Sequence, residues 1–276
     1  MSTLSITGIQ ANLHWKDKAA NLKMFGEKID SIEGRAEIVI LPEMFSTGFV
    51  MQPKGLAEPM NGPTIEWMRK KSESKKIIIA GSVIIEEEGR YYNRLVMVLP
   101  DGQFGYYDKR HRFAFAGEDQ NYSAGKKRLI ASIKGWKINC QICYDLRFPV
   151  WARQTVSYLP QNEEEPQLGD KAPPEYDLLI YVANWPERRI LAWEALLQAR
   201  AIENQCYVAG VNRVGNDSEN IYHSGRSTRV DPLGEILVKA GEKEELFTCV
   251  LRKDRLEDIR TKFPFWKDSD DFKIKI

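Results

Sequence analysis

The chain has 276 residues, of which 43% are hydrophobic and 29% charged, with a net charge of +1. A chain of this size buries enough apolar surface to fold without disulfide or metal staples. Its near-neutral balance argues against a general polyanion-binding surface, so no nucleic-acid partner is expected. Residues 1–10 lack a basic segment followed by a long apolar core, and no run of eighteen apolar residues occurs. Neither an export signal nor a membrane partner is therefore predicted. Four cysteines in such a chain read as reduced thiols, which points to a cytoplasmic setting.

Residues 4–9 read as a strand, and residues 16–32 as a helix with an apolar stripe at Ala19, Leu22, Phe25, Ile29 and Ile32. A short apolar run at 37–41 reads as a buried strand stopped by Pro42. A helix is expected over 65–72. Strands follow over 76–86, 90–99 and 103–108, with turns at Glu88-Gly89 and Asp101-Gly102. Residues 128–133 and 136–142 read as another hairpin, turning at Lys134-Gly135. The pattern then predicts a helix over 148–158, a strand over 178–182, a helix over 188–204, and strands over 206–212, 224–230, 235–240 and 245–251. Strands and helices alternate throughout, so a single α/β or α+β domain over 1–276 is the expected organisation. Residues 157–175 are rich in Glu, Gln, Pro and Gly and read as a loop insertion. The tail 263–276 is irregular, but Phe263, Phe265, Trp266 and Phe272 give it surface to pack on the domain or on a second subunit.

Three motifs sit at strand ends. In Leu41-Pro42-Glu43 a carboxylate follows a buried strand, where it is costly unless paired. Taken alone, Glu43 reads as a cap or a solvated loop residue. Tyr107-Asp108-Lys109 is the second motif, with Gly117-Glu118-Asp119 close behind; a Glu near that Lys would hold the ammonium. Alone, it reads as a basic surface loop. The third is Ile142-Cys143-Tyr144-Asp145-Leu146-Arg147-Phe148-Pro149. A strand ending at Cys143 and followed by a turn can expose the sulfur and offer the Tyr144 N–H to a carbonyl. The competing readings of Cys143 are a small buried hydrophobe, or a redox or zinc pair with Cys140. Residues three apart on a strand face opposite ways, and no second pair completes a zinc site, so no metal is expected.

Together these motifs resemble the nitrilase superfamily of carbon–nitrogen hydrolases, with its Glu–Lys–Cys triad. The likeness runs on through Ala183-Asn184-Trp185-Pro186, Gln198-Ala199-Arg200-Ala201-Ile202-Glu203-Asn204, Asn212-Arg213-Val214-Gly215 and Asp231-Pro232-Leu233-Gly234. Gly117-Glu118-Asp119 with Tyr122 and the Asn-Trp-Pro segment is most similar to the omega-amidase branch. The resemblance implies a four-layer α-β-β-α sandwich, a homodimer, no metal and no organic cofactor. It implies a small-molecule amide substrate and water: the terminal amide of a dicarboxylic acid monoamide such as α-ketoglutaramate or α-ketosuccinamate. Glu43 would be the base, Cys143 the nucleophile, and Lys109 and the Tyr144 N–H the oxyanion donors, with Glu118 positioning Lys109. His111 receives no catalytic role. Other nitrilase-type reactions, or a silent binding protein, are the alternatives.

The substrate carboxylate calls for an arginine, and Arg147, Arg188 and Arg189 are candidates. Arg147 is read as structural, paired with an acid. Phe45, Phe115 and Trp185 are candidate pocket walls, equally readable as core. Asn184 joins this set through the Asn-Trp-Pro segment.

Overall fold

The computed structural model describes residues 2–154, 173–270, 272 and 274. The elements in chain order are β1 (Thr3–Gln10), α1 (Lys18–Asp30), β2 (Ile38–Ile40), α2 (Pro63–Lys75), β3 (Ile78–Glu87), β4 (Arg90–Val98) and β5 (Phe104–Asp108). After α3 (Glu118–Asn121) come β6 (Leu129–Ile133), β7 (Trp136–Ile142), α4 (Pro149–Ala152), β8 (Leu178–Val182), α5 (Ile190–Asn204) and β9 (Tyr207–Val211). The chain continues through β10 (Val214–Asn216), β11 (Tyr222–Ser224), β12 (Thr228–Val230), β13 (Ile236–Lys239), β14 (Glu245–Arg252) and α6 (Lys253–Lys262).

Two six-stranded sheets result, in the orders β14-β1-β2-β3-β4-β5 and β13-β12-β9-β8-β7-β6. The period-two pattern of the strands explains why they stack with helices outside. In β2, Ile38 and Ile40 face the second sheet and join Ile138, Cys140 and Ile180 in the central core. Val39 and the following Leu41 face the other way, onto Phe25 and Ile29 of α1 and Ile65 and Met68 of α2. Each such side chain contributes about 1.5–3 kcal/mol by leaving water. On the far side Trp193, Leu197 and Ala201 of α5 pack on the second sheet. The fold is thus the α-β-β-α sandwich that the resemblance implies. Within the sheets, β1, β2 and β3 run parallel, as do β7, β8 and β9. Two hairpins bring β5 back to the direction of β3. The C-terminal ends of β2, β5, β7 and β8 therefore meet at one edge of the sandwich, where open α/β sheets place ligands.

Among the differences from the sequence expectation, three have a visible cause. The helix expected over 148–158 is confined, among the described residues, to Pro149–Ala152. Gln154 stops it by docking on the end of α5: its N–H donates to Asn204 Oδ1 at 3.0 Å and its side chain to Asn204 O at 2.7 Å. The single strand expected over 224–230 is broken into β11 and β12 at Gly225 and Arg226, both at positive φ. A Cβ on Gly225 would lie 2.3 Å from the Gln10 side chain, whose Oε1 accepts from the Ser227 N–H and hydroxyl. Helix α6 has no counterpart in the apolar pattern, because its apolar positions are few; Leu256 and Ile259 are its buried residues. The tail beyond it packs on this chain's own α5, through Gln205 donating to Phe263 O (2.7 Å) and accepting from the Trp266 N–H (3.0 Å). Most of the insertion expected at 157–175, residues 157–172, lies outside the described residues.

Candidate active site

Glu43, Lys109, Cys143 and Asn184 follow β2, β5, β7 and β8 respectively, so the sheet edges bring them together. The Lys109 ammonium is the centre of the cluster. Its Nζ lies 2.9 Å from Glu43 Oε1, and 3.1 and 2.9 Å from the two oxygens of Glu118. All three side chains are at most 1% exposed. Buried charges persist only when paired and hydrogen-bonded, and each here is both. Asn93 on β4 ties the two carboxylates together: its Nδ2 donates to Glu43 Oε1 at 2.8 Å and to Glu118 Oε1 at 3.3 Å. Glu43 Oε2 accepts the Asn184 N–H at 2.9 Å, and Glu118 Oε2 accepts the Phe113 N–H at 2.5 Å. Sequence reasoning missed Asn93, because one Asn on a strand gives no sign that its partners come from two other segments.

Cys143 sits at φ +43°, in the left-handed region that non-glycine residues avoid. Such a conformation costs about 1–3 kcal/mol and persists only when its surroundings over-determine it. Asp145 supplies that constraint. Its buried carboxylate accepts from the Ile142 N–H (3.0 Å), the Tyr107 hydroxyl (2.7 Å) and the His111 N–H (2.9 Å), and pairs with His111 Nδ1 (2.9 Å). His111, stacked on Phe148 with ring centres 3.9 Å apart, thereby braces the turn. From α5, Arg200 donates to Leu146 O at 2.6 Å. The Tyr144 N–H falls in the first turn of the short 3-10 segment Cys143–Arg147, where backbone donors have no partner within the helix.

Burial, then the Glu43 charge and a hydrogen bond to Glu43, push the Cys143 thiol well up, with Lys109 opposing them. This environment favours the thiol over the thiolate at Cys143. Burial and the Glu43 charge likewise raise the Glu118 carboxyl, against the Lys109 charge. Lys109 goes up despite its burial, because Glu118 and Glu43 both stabilise the ammonium.

Above this floor lies a cavity of about 530 Å³. Phe115, Trp185, Asn184, Arg188 and Tyr144 line it, as do Phe49, Phe113, Arg147, Arg189 and His223. Phe115 stands at the mouth, 85% exposed. Phe45 is not in the wall: it is fully buried in the outer core, edge-on to Phe25 at 5.5 Å and packed against Gly81. Met44, at φ +44°, turns the chain so that Phe45 points inward, and Phe49 takes the wall position. Arg147 also departs from expectation. It pairs with no acid among the described residues; its guanidinium lies 5.0 Å from the Trp185 ring centre and faces the cavity. Burial, with the Arg213 charge, pushes His223 down to about 4, so it is a neutral wall residue at ordinary pH. Among the described residues no group of His, Cys, Asp and Glu is arranged to hold a metal ion. No helix among them is long and apolar enough to cross a membrane.

A family model for carbon-nitrogen hydrolases matches residues 5–261. The chain belongs to the carbon-nitrogen hydrolase family. The omega-amidase YafV of Escherichia coli (strain K12) is 41% identical to this carbon-nitrogen hydrolase over 275 residues, covering 99% of this chain and 100% of that one. The 2-oxoglutaramate amidase of Bacillus subtilis (strain 168) is 28% identical, covering 96% of each. Among solved structures, XC1258 from Xanthomonas campestris, a CN-hydrolase superfamily protein with an arsenic adduct in its active site, superposes with a TM-score of 0.91 at 40% identity and 100% coverage of both chains. A carbon-nitrogen hydrolase needs a nucleophile, a proton acceptor beside it and donors for an oxyanion. The edge of the two sheets offers a candidate for each within one hydrogen-bonded cluster.

Proposed function

We propose that this carbon-nitrogen hydrolase is an omega-amidase, cleaving the terminal amide of small dicarboxylic acid monoamides such as α-ketoglutaramate and α-ketosuccinamate. The observation that carries the reading is the buried Glu43–Lys109–Glu118 cluster against the Cys143 thiol, at the floor of an arginine-rimmed cavity. Near-full-length likeness to omega-amidases supports the substrate class.

Glu43 accepts the thiol proton as the sulfur attacks the amide carbon. Burial keeps the thiol protonated until that moment, so the base removes a real barrier. The tetrahedral oxyanion is held by Lys109 and the Tyr144 N–H. The Lys109 contact to Glu118 is shared between both carboxylate oxygens, which leaves one ammonium proton free to turn toward the oxyanion. Each such donor lowers the barrier by about 3–4 kcal/mol. Glu43 returns the proton to the leaving nitrogen, ammonia departs, and a thioester remains on Cys143. Water then attacks the thioester, Glu43 takes its proton, and the acid product leaves with the thiol restored. Glu118 positions Lys109. No metal and no organic cofactor takes part.

The same reading makes the enzyme a cytoplasmic homodimer, joined through the face of α4 and α5. Val150 of α4 and Leu191 of α5, 56% and 78% exposed, support it. Light scattering that returns the mass of one chain would refute the dimer. The function is tested by ammonia release from α-ketoglutaramate, α-ketosuccinamate and glutamine. Both keto-amides should exceed glutamine in kcat/KM, and Cys143→Ala should abolish turnover while leaving the fold intact. Normal turnover by that variant, or a preference for a nitrile or N-carbamoyl substrate in the same panel, would overturn the reading.

A further inference from the structure

Asn93 on β4 adjoins the buried cluster, and its polar atoms are treated unequally. Its backbone carbonyl accepts the Lys109 N–H at 2.9 Å, which fixes the chain where β5 ends. Its side-chain nitrogen donates to Glu43 Oε1 at 2.8 Å and to Glu118 Oε1 at 3.3 Å. Its side-chain oxygen is buried and has no partner among the described residues. A buried acceptor without a donor costs free energy, and such groups are few in native folds. The reverse orientation of the amide would set that oxygen against two carboxylate oxygens. The side chain therefore gives up one hydrogen bond so that both of its N–H groups face carboxylates.

The consequence falls on Glu43. A carboxylate has about four lone-pair sites, two on each oxygen. Both sites on Oε1 are occupied, by Lys109 Nζ at 2.9 Å and by Asn93. Among the described residues Oε2 accepts from the Asn184 N–H alone, at 2.9 Å. Its second site is open, and the Cys143 thiol is hydrogen-bonded to the same carboxylate.

We propose that Asn93 is a positioning residue for the base: by saturating Glu43 Oε1 it directs the Cys143 thiol proton to Oε2, and by bridging to Glu118 it holds both carboxylates against Lys109 while that proton is there. This rests on the amidase reading for the roles of Glu43 and Cys143. The Sγ–H electron pair becomes the bond from sulfur to the amide carbon, the carbonyl π pair moves to oxygen, and the proton binds Oε2. The same proton then passes to the leaving nitrogen as the carbon–nitrogen bond breaks and its electron pair stays on nitrogen. Oε1 keeps its partners throughout, so the Lys109 ammonium stays beside the oxyanion during both transfers. Asn93 itself is not among the residues that line the cavity.

The test compares wild type with N93A and the isosteric N93D between about pH 5.5 and 8.5. Ammonia release from α-ketoglutaramate gives kcat and KM. Alkylation of Cys143 by iodoacetamide, read by mass spectrometry, follows loss of the thiol proton without an amide. Thermal melting gives the folded fraction. In N93A kcat should fall about 100-fold with KM within about threefold, because the base is misplaced while no substrate contact changes. Alkylation should slow at least about tenfold. In N93D the new carboxyl donates a hydrogen bond only while protonated. Once ionised it is a third negative charge beside Glu43 and Glu118, with Lys109 alone to offset them. Burial keeps the neighbouring Cys143 thiol and Tyr122 hydroxyl neutral over this range. The ratio of N93D to wild-type kcat should therefore fall at least about tenfold from the acid to the alkaline end, while that of N93A to wild type stays flat. A purely structural asparagine would lower the melting temperature of both variants, with kcat per folded molecule unchanged and no pH trend in either ratio. That outcome, or a wild-type alkylation rate in N93A, overturns the proposal. N93D at low pH keeps both shape and donor, and carries the comparison if N93A melts early. If wild type hydrolyses no amide, the amidase reading fails, and the alkylation rates at the two ends of the pH range decide the role of Asn93.

Discussion

The floor and the wall of the cavity are built on opposite electrostatic plans. On the floor every charged group is hydrogen-bonded within the protein: Lys109 lies between Glu43 and Glu118, Asn93 bridges the two carboxylates, and backbone N–H groups fill their remaining oxygens. On the wall Arg147, Arg188 and Arg189 face the cavity without a carboxylate partner among the described residues. A matched floor is rigid before substrate arrives, which suits groups that must act on a developing oxyanion. An unmatched wall is completed by the ligand, which suits recognition. The two regions should therefore fail differently when altered: the floor in turnover and stability, the wall in affinity.

The largest failure is expected from Lys109→Met. It removes an oxyanion donor and leaves two buried carboxylates facing each other. Turnover should fall by more than about 10⁴-fold, combining the lost donor with misplacement of Glu43. Urea unfolding should show a loss of about 3–5 kcal/mol. A variant as stable as wild type would mean that Glu43 and Glu118 do not both carry charge. Next comes Glu43→Gln, with kcat down by about 10³-fold and little change in KM. Mass spectrometry of the quenched reaction should then find acyl-enzyme on Cys143 only if thioester hydrolysis slows more than its formation. An unaltered kcat would remove Glu43 from the proton path.

The floor is more legible in the sequence than the wall, and the reason is physical. Glu43, Lys109 and Cys143 each end an apolar strand, and strand ends in such sheets gather at one edge. Position along the chain thus predicts proximity. Wall residues come from loops, where a single left-handed residue redirects the side chains after it. Met44 does this to Phe45, which adjacency to Glu43 suggests for the pocket and which packs instead where Gly81 has no side chain. Arg147 reads as paired because arginines beside acidic residues usually are. Here Asp145 is fully engaged by Ile142, Tyr107 and His111, and none of its capacity reaches Arg147.

Between floor and wall stands the Cys143 turn, and Asp145→Asn probes it. An amide cannot accept four hydrogen bonds from donors at once, so the turn should relax away from φ +43°. We expect a loss of about 1–3 kcal/mol and a fall in kcat larger than the rise in KM. Differential scanning fluorimetry and steady-state kinetics on the same sample separate the two. Equal changes in kcat and KM would place the effect on the wall instead.

The buried thiols add a pH dependence with a definite sign. Cys143, Cys206 and Cys249 are all raised by burial, and Cys140 is pushed up to about 12. Above the ordinary thiol value of 9.0, unfolded thiols lose protons that folded ones keep. The thiols' share of folding stability should then decrease as pH rises from 9 toward 10, by up to about 1.4 kcal/mol per pH unit for each thiol. Lys109 does not oppose this, because an ammonium raised by folding keeps its contribution below its unfolded value of 10.5. Cys143→Ala should reduce the slope by one thiol's share. Urea titrations at pH 8, 9 and 10 measure it, and a slope identical to wild type would mean that folding leaves the Cys143 thiol unshifted.

The smallest effect tests the outermost part of the wall. Phe115 is 85% exposed and touches Phe113 at a ring-centre distance of 5.7 Å. Phe115→Ala removes a contact at the mouth without altering Lys109, Glu118 or the Cys143 turn. Exposed aromatic pairs contribute about 0.5–1.5 kcal/mol, and here the contribution should appear in KM, which rises about threefold while kcat and stability stay within twofold and 0.5 kcal/mol. Phe113 connects this rim to the floor, because its N–H holds Glu118. If kcat falls with Phe115→Ala as strongly as KM rises, the loop that carries both rings moves as one piece. Floor and wall would then be a single mechanical unit, and their different electrostatic plans would not divide catalysis from recognition.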